Sequence, residues 1–156
     1  MKWTFISDRQ FKVEEINGYD IKFRNFAGRP TEKNRQGGQR TFNLALPDEL
    51  AEELTVRGWR VKFGKEKDDG SGDRYPSMIN VKVSYKVRPP RIVRVTPLGH
   101  VDIDEELCKD IDGDEIDTAA MIINGSMWDG DGKFTPYLEN MRYKMVADPF
   151  EGLYED

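Results

Sequence analysis

Arg29, Lys33, Arg35 and Arg40 lie in or beside the segment AGRPTEKNRQGGQ, residues 27–39, and Lys22 and Arg24 come just before it. Clustered cations of this kind suit a phosphate backbone, because binding is driven by release of the counterions condensed on it. Phe26 stands among them, and Tyr75 follows Arg74 in a second loop, residues 66–77. Rings beside cations can stack on the bare base faces that a single strand exposes. Gly28, Gly37 and Gly38 would let backbone approach a ligand closely. A second line of cations, Lys82, Lys86 and Arg88, falls on the polar side of an alternating segment. With Arg60 and Lys62 it could form the floor of a groove. Any solvated sheet face exposes Lys and Arg, and Phe26 could instead turn into a hydrophobic cluster at a strand end. The binding reading rests on coincidence: loop cations, strand cations and glycines all fall in one half of the chain.

Other chemistries have weaker footing. Residues 110–117, DIDGDEID, resemble a calcium loop, but one starting at Asp110 would need Gly at its sixth position and Glu at its twelfth. Glu115 and Met121 stand there instead. Asp102, Asp104, Asp110, Asp112 and Asp114 could in principle hold Mg²⁺ for phosphoryl chemistry, which makes a metal-dependent nuclease the alternative enzyme reading. These acids crowd into one stretch with no basic or histidine partner. Cys108 has no histidine near it in sequence, and there is no Walker loop, GxSxG or HExxH. The sequence therefore points to no catalysis, no cofactor and no metal. A small viral structural or adaptor protein is the third reading; its sheet faces would contact protein.

The chain has 156 residues, one cysteine and one histidine, and a formal net charge of −5. That length fits one domain with its own core. A lone cysteine excludes an internal disulfide framework and a multi-cysteine zinc site. With no signal-peptide or membrane-length apolar run, a cytoplasmic location is expected, in the host cell if the protein is viral. The net charge hides an asymmetry. Residues 1–100 hold 20 Lys and Arg against 13 Asp and Glu, whereas residues 101–156 hold 4 against 16. A basic surface beside an acidic segment is the expected arrangement.

The elements that would position these side chains are mostly strands. Residues 19–26 alternate, with Tyr19, Ile21 and Phe23 on one face and Lys22, Arg24 and Phe26 on the other. Residues 40–46 alternate with Phe42, Leu44 and Leu46 inward, so the basic segment becomes a long hairpin connection. Residues 47–57 form the one clear helix: Pro47 suits its first position, acids load its early turns, Leu50 and Leu54 share a face, and Gly58 ends it. Residues 59–65 read as a strand with Trp59, Val61 and Phe63 inward. Residues 78–88 alternate most regularly, with Ile79, Val81, Val83, Tyr85 and Val87 facing one way. A short strand begins at Ile92. Residues 102–117 read as an acidic surface stretch with room for a helical turn. Residues 120–128 read as a strand, Asp129 to Gly132 as a turn, and residues 133–146 as a final strand that places Tyr137, Tyr143 and Met145 in the core; Trp128 could face either way. Many short strands with one helix favour a small barrel or sandwich.

The last ten residues, Ala147 to Asp156, carry four acids with Phe150 and Tyr154. A frayed terminus is the plain reading. A functional tail would lie in the cationic groove when no polyanion is present and dock on partner proteins through Asp148, Phe150, Glu151, Tyr154, Glu155 and Asp156.

Three stretches together resemble the OB-fold single-stranded DNA-binding proteins of bacteriophages: FRNFAGRPTEKNRQGGQRTFNLAL with the acidic helix and GWRVK after it (residues 23–62), MIINGSMWDGDGKFTPYLENMRYKMV (residues 121–146), and the acidic tail. The resemblance implies a mainly β, OB-fold-like five-stranded barrel with one short helix and extra hairpins over residues 1–146, and a flexible tail over 147–156. It implies sequence-tolerant binding and protection of single-stranded DNA in viral replication, recombination or repair. It also implies tail contacts to replication proteins such as a DNA polymerase or helicase-primase, with no membrane involved and monomer and homodimer both open. Two features depart from the pattern. Glu155 and Asp156 follow Tyr154, where such tails often end in an aromatic, and the helix falls between the second and third strands read here rather than the third and fourth.

Overall fold

Side-chain alternation along the strands separates one apolar core from a polar outer face. A computed structural model of the chain describes residues 1–86, 88–127 and 130–147. Val87, Trp128 and Asp129 lie outside the described residues, as do the candidate tail residues Asp148, Phe150, Glu151, Tyr154, Glu155 and Asp156. The elements are β1 (Lys2–Ser7), β2 (Gln10–Asn17), β3 (Ile21–Asn25), β4 (Arg40–Leu46), α1 (Asp48–Val56), β5 (Ser77–Val83), β6 (Arg91–Thr96), β7 (Gly99–Ile103), β8 (Ile116–Ser126) and β9 (Thr135–Met145).

The chain is mainly β with one short α-helix, as expected, but the five-stranded barrel is not found. The described strands form a single nine-stranded sheet in the order β1-β2-β8-β9-β5-β4-β3, with β6 and β7 branching from β9. The path does not return on itself. Its ends, β1 and β3, do not pair with each other. In the middle, β9 holds β8 along one edge, and along the other it pairs with β5 at Tyr137 and with β6 from Asn140 to Lys144, so the sheet forks there.

Residues 59–65 are not a strand. Trp59 bridges Phe134 while Lys62 bridges Met78, so the segment faces two different neighbours and no ladder forms. Trp59 is buried as expected, but Phe63 is exposed. The β1–β2 hairpin and β7 had no counterpart in the sequence reading. The helix begins one residue later than expected, with Pro47 at the N-cap position and Asp48 and Glu49 in the first turn. There they complement the positive end of the helix dipole. Leu50, Ala51 and Leu54 are buried.

The core includes an edge-on pair, Phe11 and Trp59, with ring centres 5.0 Å apart. The indole N–H of Trp59 donates to the Asp8 carbonyl at 2.8 Å, which removes the penalty of burying it. A second pair, Phe26 and Phe42, stacks at 5.1 Å with planes 11° apart.

Two bulges reset the alternation and overturn two sequence expectations. In β3, Lys22 opposes Asn43 and Asn25 opposes Thr41, so one residue is extra, and Phe23 adopts φ 51°. An extra residue flips the parity of everything after it. Phe26 is thereby turned inward and fully buried, while Phe23, expected inside, is 72% exposed; Tyr19, also expected inside, precedes the bulge in a 3-10 turn over Gly18–Asp20 and is 72% exposed. In β9, Ile122 opposes Asn140 and Ile123 opposes Leu138, leaving Glu139 extra. Leu138, Met141 and Tyr143 face the core, and Tyr137 is turned to the outer surface. Met145 is partly buried against the core.

The parity change at Phe23 can be tested by chemical denaturation. Phe26→Ala should cost about 3–5 kcal/mol, as for a fully buried ring, whereas Phe23→Ala should stay within about 0.5 kcal/mol, as at a surface position.

Candidate nucleic-acid interface

The basic loop between β3 and β4 is a structured element with a fixed root. At its neck the Gly38 N–H donates to the Gly28 carbonyl at 2.8 Å. Both glycines have positive φ, 69° and 91°, a conformation that side chains resist. These glycines therefore close the loop on itself. At the root, both carboxylate oxygens of Asp112 accept backbone N–H groups, from Phe26 at 2.7 Å and Ala27 at 3.1 Å. Arg29 lies 3.8 Å from the same carboxylate. Arg29, Lys33 and Arg35 project from the loop into solvent.

Arg24 belongs to the support beneath this loop. Its guanidinium donates to the carbonyls of Gly18 (3.0 Å), Ile111 (3.2 Å), Asp114 (2.6 Å) and Ile21 (3.1 Å). Burial pulls its pKa down from the usual arginine value, and the nearby Asp114 and Asp112 carboxylates oppose that shift. Asp114 also accepts the Tyr143 hydroxyl at 2.8 Å. Burial, then this bond, pushes the Tyr143 phenol above its usual range. Arg24 is thus engaged within the protein, and Phe26 is core. The structure removes both from the exposed surface on which the sequence reading placed them.

Arg40 is a different kind of arginine. It lines a groove of about 330 Å³ together with Lys82, Ser84, Tyr85, Lys86 and Tyr137. Its guanidinium lies 5.3 Å from the centre of the Tyr85 ring. It meets Glu105, which shares the groove wall, at 3.3 Å. Its Nε is buried and has no hydrogen-bond partner among the described residues. The Tyr85 hydroxyl is also buried without a well-aligned partner there, although the Cys108 thiol lies alongside. Burial raises both the Tyr85 phenol and the Cys108 thiol. Arg40 therefore has unused donor capacity and one exposed competitor, Glu105.

The register extends this site across the sheet. Thr41 opposes Lys82, Lys82 bridges Tyr137, Tyr137 opposes Asn124, and Asn124 opposes Gln10. Residues directly opposite one another share a face. A polar row with one ring at its centre thus crosses five strands on the outer side.

The other sequence candidates are more scattered. Lys22 opposes Asn43 on the same outer face, two strands from Lys82's neighbours. Lys62 bridges Met78. Arg60 pairs with Asp131. Arg74 bridges Glu66, and Tyr75 lies under the Lys67 ammonium at 5.4 Å. None of these lines the Arg40 groove. Arg88 lines an adjoining cleft. Tyr137 was assigned to the core in the sequence and is instead a groove ring, whereas Tyr85 packs against the core as read and lines the groove as well. The available signal was Tyr85 directly before Lys86 and three residues after Lys82. Glu105 had no local signal.

Three of the five acids of the nuclease reading serve structural ends, and Asp102 and Asp110 are exposed. Asp112 and Asp114 hold the loop root, and Asp104 accepts the Leu107 N–H at 2.9 Å to start a 3-10 turn over Cys108–Gly113. Among the described residues, no three His, Cys, Asp or Glu side chains are grouped to hold a metal ion. None of the helices there is long and apolar enough to cross a membrane.

The family model described as "Putative phage ssDNA-binding domain" matches residues 6–156. No curated protein shows significant similarity to the chain. Among solved structures, the single-stranded DNA-binding protein from bacteriophage Enc34 is similar at TM-score 0.51 and 13% identity, covering 96% of this chain and 88% of that one. A C-terminal truncation of the same protein gives TM-score 0.49 at 12% identity, covering 92% and 90%. At such identity the first likeness establishes a shared fold.

Asp112→Ala should release the loop root while leaving the core intact. Trypsin should then cleave after Lys33 or Arg35 markedly faster than in the unaltered protein, read by mass spectrometry of timed digests; the Arg29–Pro30 bond resists it in both. Unchanged cleavage would show that the loop is held by other contacts.

Proposed function

Because the chain belongs to the phage single-stranded-DNA-binding domain family, we propose that it grips single-stranded DNA in the Arg40 groove, tolerating any sequence. The observation that carries this reading is the convergence of Arg40, Lys82 and Lys86 on one groove walled by the Tyr85 and Tyr137 rings. Lysines act as point charges on phosphates, and rings accept any base, so affinity comes without base identity. An arriving phosphate competes with Glu105 for Arg40, whose free Nε gives it reason to move. Arg29, Lys33 and Arg35 on the tethered loop add charge along the strand's approach, and Lys22 extends the cationic face across β3. Arg60, Lys62, Arg74 and Tyr75 have an outlying role as further contacts for longer strands.

Residues 1–146 form the binding domain in this reading, and residues 147–156 an acidic tail. The tail competes with DNA for the cations and contacts replication proteins through Phe150 and Tyr154. The setting is phage DNA replication, recombination or repair. The alternation of charge between the two halves of the sequence supports the tail's part.

Fluorescence anisotropy with labelled oligothymidylate tests the groove. Lys82→Glu/Lys86→Glu should bind far more weakly. For single strands, where each phosphate contact contributes about 0.7 to the slope of log affinity against log salt, the slope should fall by roughly 1.4. Glu105→Gln should bind up to about fivefold more tightly, matching the roughly 1 kcal/mol upper end for exposed ion pairs. A folded double variant with unaltered affinity would disprove the placement.

A further inference from the structure

Alongside the Arg40 groove lies a second, larger cleft of about 660 Å³. We infer that it is a second nucleotide-binding subsite: the DNA strand crosses Tyr137, which stacks on a base, and its next phosphates are held between Arg9 and Arg88. This rests on the groove reading above and extends it.

The two cavities share Ser84 and Tyr137 in their walls, so Tyr137 stands at their junction. The backbone explains the opening. From Lys82 to Arg91 the chain advances nine residues while β9 advances three, from Tyr137 to Asn140. The surplus must loop away from the β9 edge. That loop carries Arg88 and Pro89 to one side of the cleft, and the β1–β2 turn brings Arg9 to it.

The chemistry of the walls suits a nucleotide. Both arginines are exposed, and neither has a carboxylate within ion-pair distance among the described residues. Arg9 lies 5.5 Å from the centre of the Phe134 ring, and its carbonyl accepts the Gly125 N–H at 2.7 Å, which anchors the turn. Gly125 lets this wall pack directly on the rings behind it: a Cβ there would come within 2.9 Å of Phe134 and 3.2 Å of Trp59. The acid in the wall, Glu139, accepts a hydrogen bond from Gln10, which also donates to Asn124. Its charge is therefore partly engaged at the floor. Asn124 and Ser126 offer polar groups to a base edge.

The spacing matches as well. Thr41, Lys82, Tyr137 and Asn124 lie on successive strands. At about 4.8 Å per strand, that row spans about 14 Å. One strand of DNA can therefore touch both cavities. A small anion alone would need the arginines but not the ring, and a protein partner would need neither the ring nor the phosphate contacts.

The test compares oligothymidylates of about 4 and about 16 nucleotides, the two ends of the range of site sizes for a single OB fold. The unaltered protein should bind the longer one more tightly. Arg9→Glu/Arg88→Glu should lose most of that length dependence. Tyr137→Leu should weaken the longer oligonucleotide by roughly five- to hundredfold, the range for one stacked base, and Tyr137→Phe should restore it. Circular dichroism and thermal melting of each variant establish folding, and the exposed arginine pair keeps the test valid if Tyr137→Leu fails to fold. If the arginine variant retains full length dependence while Lys82→Glu/Lys86→Glu still weakens both oligonucleotides, the second subsite is wrong and the groove stands. If neither variant changes binding, both fail.

Discussion

The half-buried guanidinium of Arg24 is the constraint on which the exposed surface depends. It gathers carbonyls from the turn before β3, from β3 itself and from the 3-10 turn before β8. Two of these oxygens already accept a backbone N–H, Gly18 from Ile21 and Ile111 from Asp114, so the planar fork of donors on one cation acts by tying two separate stretches of chain together. Arg24 fixes the 3-10 turn, the turn presents Asp112, and Asp112 holds the first two residues of the basic loop. Asp114 carries the same connection into β9 through the Tyr143 hydroxyl. A loop with this many cations would gain entropy and relieve repulsion by fraying, and its internal bonds, such as Gly38 N–H to the Gly28 carbonyl, oppose that together with the root. Its fixed root limits that freedom and so limits the ordering cost of binding a polyanion.

The acidic second half of the chain acquires a meaning that composition alone did not provide. Residues 102–117 read as a solvated acidic stretch, yet several of its carboxylates accept specific donors: Asp104 starts a turn, Asp112 caps the loop root and Asp114 holds a phenol. Glu105 goes further and sits on the very arginine that lines the groove. A net negative charge is therefore compatible with a positive groove, because much of the negative charge is spent close to where it is needed structurally. It also means that the groove's field is moderated from within, which favours release over tight retention at high salt.

Much of this was legible. β4, β5 and α1 were read within a residue or two at their starts, and Lys82 lies on the outer face as read, but β5 ends at Val83, so Lys86 and Arg88 lie beyond the strand that was to carry them. What failed was parity across an insertion. The period of two assigns faces reliably only while no residue is added. At Phe23 the extra residue sits at φ 51°, a conformation uncommon for a phenylalanine and with no marker in its residue type. Phe26 consequently exchanged the surface for the core. At Glu139 a similar insertion moved Tyr137 the other way. The β1–β2 hairpin was missed because its polar residues are interleaved with charged ones and β2 carries its own insertion after Val13. Segment 59–65 alternates convincingly, but alternation cannot say whether a neighbour exists along its whole length.

The insertion in β9 does more than turn a ring. Before it, the edge of β9 faces β5; after it, the same edge faces β6. The bulge therefore lies where the sheet forks, and the surplus chain between β5 and β6 has to leave the surface there. A regular β9 would keep Tyr137 and Tyr143 in phase, both inward, as the plain period implies. One added residue instead puts Tyr143 in the core against Asp114 and Tyr137 on the outer face between Lys82 and Asn124. The local distortion at which the sheet forks is the same one that supplies a ring and an opening beside it. In the proposed reading, a ring at a fork flanked by exposed cations would be a sufficient device, because stacking and phosphate attraction both ignore base identity.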